Sequence, residues 1–197
     1  MFQEEYVRAD AYGLISQLFS SPPDAAFLKL YSGAPDAGTA EDAPQFTLQE
    51  AEPVGYEAAL KRLQAAATGR DATAVAAEFE RMFRSGEASL STPGALAPAG
   101  QIAALRSYLA QYGLAPRASS AAVEGYVASI CDVMRWLIEH DRPMGVQAGF
   151  FNDFVQPGVT TLCDAIEATP GASFYASVAD LARTFMESES VRFRAYE

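Results

Sequence analysis

Cysteine, histidine, basic charge and long apolar runs are all scarce in this chain of 197 residues. Two cysteines, Cys131 and Cys163, are too few for a disulfide framework or a cysteine-based metal centre. Both fall inside apolar helical patterns, where a thiol reads as a small buried hydrophobe. The single histidine, His140, closes the run "WLIEHDRP" and can interact favourably with a helix C-terminus. A His140–Asp141 dyad has no Ser or Cys beside it in sequence. With 14 basic residues against 25 acidic ones the net charge is −11, and no basic cluster stands out, which excludes a general nucleic-acid binder. No apolar run approaches the roughly 20 residues that span a bilayer. The start, "MFQEEYVRAD", lacks the basic and apolar regions of a secretory leader, so a cytoplasmic protein is expected.

The catalytic motifs are missing too. There is no GxGxxG, GxxxxGK[ST], GxSxG, HExxH or Cys-x-x-Cys. Position 137, three before His140, is Leu, so the Glu-x-x-His element of a di-iron bundle is absent. Glu78/Glu80 and Glu187/Glu189 read as solvated helix faces. No catalytic residue, metal site or cofactor is expected, and the chain reads as a binding protein rather than an enzyme, with an enzyme that pairs scattered acids in space as the remaining alternative.

What is present is helical periodicity over most of the chain. Val7, Ala11, Leu14 and Leu18 share a face, with Ile15 and Phe19 beside them, and "SSPPD" at 20–24 stops that helix because proline cannot continue it. A short helix follows from Asp24. Residues 34–53 hold three prolines and five acids without a base, and read as a loop insert. Tyr56, Leu60 and Leu63 define the next helix, ended by Gly69. Asp71 or Thr73 caps another that buries Val75, Phe79, Met82 and Phe83. After the loop 87–100 come Ile102, Leu105, Leu109 and Tyr112, closed by Gly113. A long helix carries Val123, Tyr126, Val127, Ile130, Met134 and Leu137. Pro143 opens the next, with Val146, Phe150, Phe151, Phe154 and Val155, and Pro157-Gly158 predicts a kink or break. Val159, Leu162 and Ile166 continue the apolar face. "ATPGAS" ends it, and a last helix uses Phe174, Val178, Leu181 and Phe185. The fold expected is an all-α, single-domain bundle over residues 1–197, with about eight or nine helices. N- and C-terminal helix groups joined by a hinge would be a variant of it.

Three stretches, in order, carry a likeness to a known family. "RADAYGLISQLFSSPPDAAFLKL" (8–30) has an opening helix, an LF..PP break and a second helix. "EFERMFRSG" (78–86) is similar to E-[YF]-x-x-L-F-x-G, with Met82 at the Leu position. "FFNDFVQPGVTTLCDAIEATPGASFYASVADLARTFMESE" (150–189) follows a late pattern of an F-rich helix, H-L-x-P-W, a helix, F-Y-x-x-x-A-x-L and a closing helix. Together they resemble the TorD/DmsD/NarJ family of cytoplasmic chaperones for molybdenum-containing redox enzymes. The departures are as definite. Glu124, Gly125 and Tyr126 stand where the family carries Pro-Asp-His, so nucleotide binding through an Asp-His pair is not carried over. Phe154–Gly158 lacks the His and Trp of H-L-x-P-W, and Thr92-Pro93-Gly94 replaces a Pro-Pro-aromatic turn.

The resemblance implies capture of a client's twin-arginine signal peptide, or of another client segment, while the molybdopterin-containing catalytic subunit receives its cofactor. Two arginines beside an apolar stretch call for an apolar groove with a carboxylate rim. Phe79, Phe83, Tyr108, Tyr126 and Trp136 are the candidate walls, each with ordinary core packing as the alternative. Glu78, Glu124 and Asp132 are the candidate rim acids, and Pro93 lies in the loop that would border the groove. The resemblance implies a monomer or a helix-exchanged dimer, with its hinge at 114–120 or at the 87–100 loop. The other reading is a helical interaction or assembly module for a folded partner, contacting it through 34–53.

Overall fold

The structure, a computed structural model, describes residues 3–32, 55–84, 99–113 and 126–196. The 34–53 insert, Pro93, Glu124, the 114–120 hinge and most of the 87–100 loop lie outside the described residues, as does the side chain of Tyr126.

Every described element is helical, which is the all-α architecture expected. α1 is Gln3–Ser20, α2 Ala25–Tyr31, α3 Tyr56–Ala67 and α4 Ala72–Phe79, which runs on into a π turn, Glu80–Arg84. α5 is Ala99–Gln111 and α6 Tyr126–Glu139. α7 (Met144–Phe150), a second π turn (Phe151–Val155) and α8 (Gln156–Glu167) form one unbroken rod, and α9 (Phe174–Phe193) ends in a 3-10 turn, Arg194–Tyr196.

The helix boundaries follow local chemistry. Asp24 caps α2 by accepting from Phe27 N–H at 2.8 Å, and Asp71 caps α4 by accepting from Thr73 N–H at 3.0 Å. Gly69 and Gly113, just past α3 and α5, take φ of +68° and +69°, where a Cβ would be strained. α6 ends differently, in a Schellman turn without glycine. Asp141 takes φ +47°, its N–H bonds to the Ile138 carbonyl at 3.0 Å, and Arg142 N–H reaches back to Leu137 at 2.9 Å. Pro157 does not break its helix. It falls in the first turn of α8, and the π turn immediately before it accommodates the missing donor without ending the rod.

α1 lies along α6, while α9 packs between α3 and α8. The buried side chains described form one cluster, fed by all nine described helices. Tyr12, Ile15 and Leu18 of α1, Leu63 of α3, Ile130 and Met134 of α6 and Tyr175 of α9 are among the most deeply buried. Fully burying one such side chain contributes roughly 1.5–3 kcal/mol. Both cysteines are buried, as their apolar settings implied. α5 is peripheral. Among its described side chains only Leu105 is fully buried, with Tyr108 and Leu109 packed partly against the cluster. No helix among the described residues is long and apolar enough to cross a membrane.

The acids of α9 need a correction. Glu187 is exposed, but Glu189 is 1% exposed and lies inside the bundle. Its carboxylate receives both forks of Arg8, from Nε at 2.8 Å and Nη2 at 2.7 Å, and the Tyr12 hydroxyl at 3.0 Å. Arg192 Nε adds a fourth contact at 3.2 Å. The partner lies 181 residues away in sequence, so no local pattern marks Glu189 as buried.

Candidate functional site

Of the residues singled out from the sequence, the six whose side chains are described, Glu78, Phe79, Phe83, Tyr108, Asp132 and Trp136, do not form one site. Glu78 and Phe79 lie at the end of α4 and Phe83 in the π turn after it, with both rings buried and Glu78 half-buried. The Glu78 carboxylate accepts from the backbone N–H groups of Ser173 at 2.8 Å, Phe174 at 3.2 Å and Tyr175 at 3.0 Å. It therefore does for α9 what an N-cap residue does from within a helix, and its charge faces the positive end of the helix dipole. Ser173 itself makes no side-chain cap; its hydroxyl accepts from Arg70 Nη2 at 2.6 Å. Arg81 holds the preceding turn through the carbonyls of Pro170 and Gly171, both at 3.0 Å. Glu78 is committed to this joint rather than to a groove rim.

Phe79 and Phe83 are each 2% exposed and stack with centroids 4.8 Å apart. Both meet Tyr175, at 5.8 and 5.1 Å, and Phe83 also meets Phe19 at 6.2 Å. The Tyr175 hydroxyl donates to the Leu18 carbonyl at 3.3 Å. The three stretches that carry the family resemblance thus converge on Tyr175: Leu18 and Phe19 from the first, Glu78, Phe79 and Phe83 from the second, and Tyr175 from the third. These aromatics are interior packing, the alternative that helical periodicity always leaves open.

Tyr108 and Trp136 stand elsewhere, where α5, the end of α6 and the start of α7 meet. Tyr108 is half-buried against Phe150 and Phe154, at 5.0 and 5.9 Å, and donates to the Val146 carbonyl at 3.4 Å. Burial, the Tyr112 hydroxyl and the Asp153 charge push the Tyr108 hydroxyl's pKa up. Tyr108 also contacts Tyr112 at 4.9 Å. The Arg142 guanidinium bridges onward, 5.6 Å from the Tyr112 ring and 5.1 Å from Trp136. The other partner of Trp136 is His140, stacked at 4.3 Å, whose Nδ1–H donates to the Trp136 carbonyl at 2.9 Å. Leu137 and Ile138 are fully buried, whereas Trp136 is half-buried. Asp132, one turn earlier on the Trp136 face, is exposed.

Arg142 drew no notice in the sequence. Its guanidinium makes no hydrogen bond or ion pair within the described residues, and Nε is buried without a partner. Desolvating a charged donor without an acceptor costs on the order of 1–3 kcal/mol. The two ring contacts offset about 0.5–2 kcal/mol of that. Its backbone is tied down independently. Gln147 Nε2 donates to the Arg142 carbonyl at 2.8 Å, and Gln147 Oε1 accepts from Arg8 Nη1 at 3.2 Å.

That links the aromatic end to the buried Arg8–Glu189 pair. Burial alone would lower the Arg8 pKa, but the hydrogen bonds and charge of Glu189 overrule it and hold the guanidinium above its ordinary value. Burial, reinforced by the Glu189 charge, pushes the Tyr12 hydroxyl well up. Each of these side chains already has its hydrogen-bond partner, and each is nearly inaccessible, so the cluster holds helices in place and offers nothing to a substrate.

No group of three His, Cys, Asp or Glu side chains could hold a metal ion among the described residues. A cleft of about 110 Å³ at the α1–α2 turn, lined by Gln17, Leu18, Ser21, Pro22, Pro23, Asp24 and Phe27, falls well below the few hundred Å³ that a cofactor-sized ligand needs. Comparisons with protein-family models, with curated proteins and with solved structures gave no match.

Proposed function

We propose that this protein is a chaperone of the TorD/DmsD/NarJ kind, which binds the twin-arginine leader or another segment of a molybdopterin-containing oxidoreductase during its assembly in the cytoplasm. The observation that carries the reading is the order of the three stretches 8–30, 78–86 and 150–189 along an all-helical chain. Their convergence on Tyr175 supports it, because it gives the shared residues a common structural reason.

The client surface, on this reading, lies on the α5–α6 side. Trp136 and Tyr108 are half-buried there, and Asp132 is an exposed carboxylate suited to an arginine. Glu124, Tyr126 and Pro93 extend the same proposal beyond the described residues. The Arg142 cation over Trp136 repels a client's arginines from that end, so they fall to the Asp132 side and the apolar stretch to the rings.

Co-expression is the first test. The tagged chain should retain a molybdenum-oxidoreductase subunit on affinity purification, and removing the client's leader should reduce recovery if the leader is the segment held. Recovery of no such subunit, with or without its leader, would overturn the reading. The alternative module for a folded partner makes the opposite demand on 34–53: deleting that acidic stretch abolishes binding there and spares it here.

A further inference from the structure

Arg142 is unlike the other arginines placed in this structure. Arg8, Arg62, Arg84, Arg135, Arg183 and Arg192 each pair with a carboxylate. Arg70 and Arg81 donate to a hydroxyl and to carbonyls. Arg106 and Arg194 are exposed, where water solvates the charge. Among the described residues, Arg142 alone is a half-buried arginine with no hydrogen bond or ion pair, its Nε buried without a partner and its guanidinium over the Tyr112 and Trp136 rings.

Folding does not account for that side chain. The α6 turn is closed by the Arg142 backbone N–H, and the loop is anchored through its backbone carbonyl by Gln147, which Arg8 holds in turn. Neither bond involves the guanidinium. The two rings fix the position of a planar cation and leave it without an acceptor, which is the preorganisation that binding rewards.

We propose that Arg142, with Tyr112 and Trp136, is a binding site for a carboxylate carried on an apolar body. The guanidinium fork matches a planar carboxylate in two parallel hydrogen bonds. One cation at the site, in a chain of net charge −11, suits a monoanion better than a phosphate dianion. Tyr108 and Tyr112 supply apolar ring surface beside it. The inference does not require the chaperone reading, although Trp136 also lies on the surface proposed for the client.

Trp136 is the only tryptophan, so its fluorescence reports on this site alone. Cyclohexanecarboxylate, transparent at the tryptophan excitation wavelength, is titrated at fixed pH and ionic strength against its uncharged methyl ester. A blocked glutamate, N-acetylated and amidated at its ends, forms a second arm that separates a protein side chain from a free acid. The acid should give a saturable change and the ester none. Arg142→Gln should weaken the midpoint by about tenfold or more, and Arg142→Lys by less, because it keeps the charge and loses the fork. No saturation, an equal response to the ester, or an unchanged midpoint in Arg142→Gln would overturn the site. Should Arg142→Gln lose its helical circular dichroism, the wild-type chain with 15N-labelled arginine decides: the Arg142 side-chain resonance must move with the acid, and a fixed resonance refutes the proposal.

Discussion

Replacing Glu189 by Gln should be among the most destabilising single changes in this protein. The substitution preserves shape and still offers an oxygen to Tyr12, but it leaves the Arg8 guanidinium charged and unpaired at 3% exposure. Breaking a buried pair by removing one partner costs about 3–5 kcal/mol. For a chain of this length each kcal/mol shifts the melting temperature by roughly 2–4 °C, so the loss should be about 6–20 °C. Removing the whole polar group tests the cause. Arg8→Met, Tyr12→Phe and Glu189→Met together abolish both charges and the hydroxyl, leaving Gln147 Oε1 as the buried group deprived of its partner, while the partly exposed Arg192 loses Glu189 and keeps Glu4. Such an orphan costs about 1–3 kcal/mol, so the triple variant should be more stable than Glu189→Gln alone. Denaturant unfolding followed by circular dichroism and by Trp136 fluorescence measures both. A Glu189→Gln variant within about 1 kcal/mol of wild type would show that the charge is solvated after all and refute the argument.

Two further outcomes follow from the α9 cap and the buried thiols. Glu78→Gln should cost about 1–2 kcal/mol, because one carboxylate serves three backbone donors at the α9 N-terminus, and amide exchange should quicken at Ser173, Phe174 and Tyr175; unchanged exchange there would discount the cap. Burial raises both thiols, Cys163 up to about 12 from an ordinary 9.0 and Cys131 further still. Above pH 9 the unfolded chain sheds thiol protons that the folded chain keeps, so stability is full below that pH and falls as pH rises toward 12, by at most about 1.4 kcal/mol per pH unit per thiol. Replacing both cysteines by Ala should flatten the slope, and a slope unchanged by that replacement would assign it to other groups.

The fold was legible because helix formation is local. The "SSPPD" break, the Asp24 and Asp71 caps, and Gly69 and Gly113 each act within a few residues of themselves, and each sits where its chemistry requires. At Pro157 the expected break is absent, because the proline falls in the first turn of α8, directly after a π turn. Acidic residues were misread too. Glu189 and Glu78 look like solvated surface within their own helices, and only partners 181 and about 95 residues away turn them inward. The candidate walls divided on the same principle. Phe79 and Phe83 obeyed their helical stripe into the core, while Trp136 and Tyr108 ended half-exposed because α5 contributes little to the interior. Arg142 carried no sequence signal, because a lone arginine after a helix is ordinary until Tyr112 and Trp136 are seen on either side of it.

The most direct test of the chaperone reading is calorimetric titration of this protein with a twin-arginine leader peptide from a molybdenum oxidoreductase encoded beside it. Saturable heat that falls when the two arginines are replaced by glutamine, and again when Asp132 is replaced by Asn, is the expected result. No heat with the intact leader, together with no retention of the client's mature subunit, would contradict it.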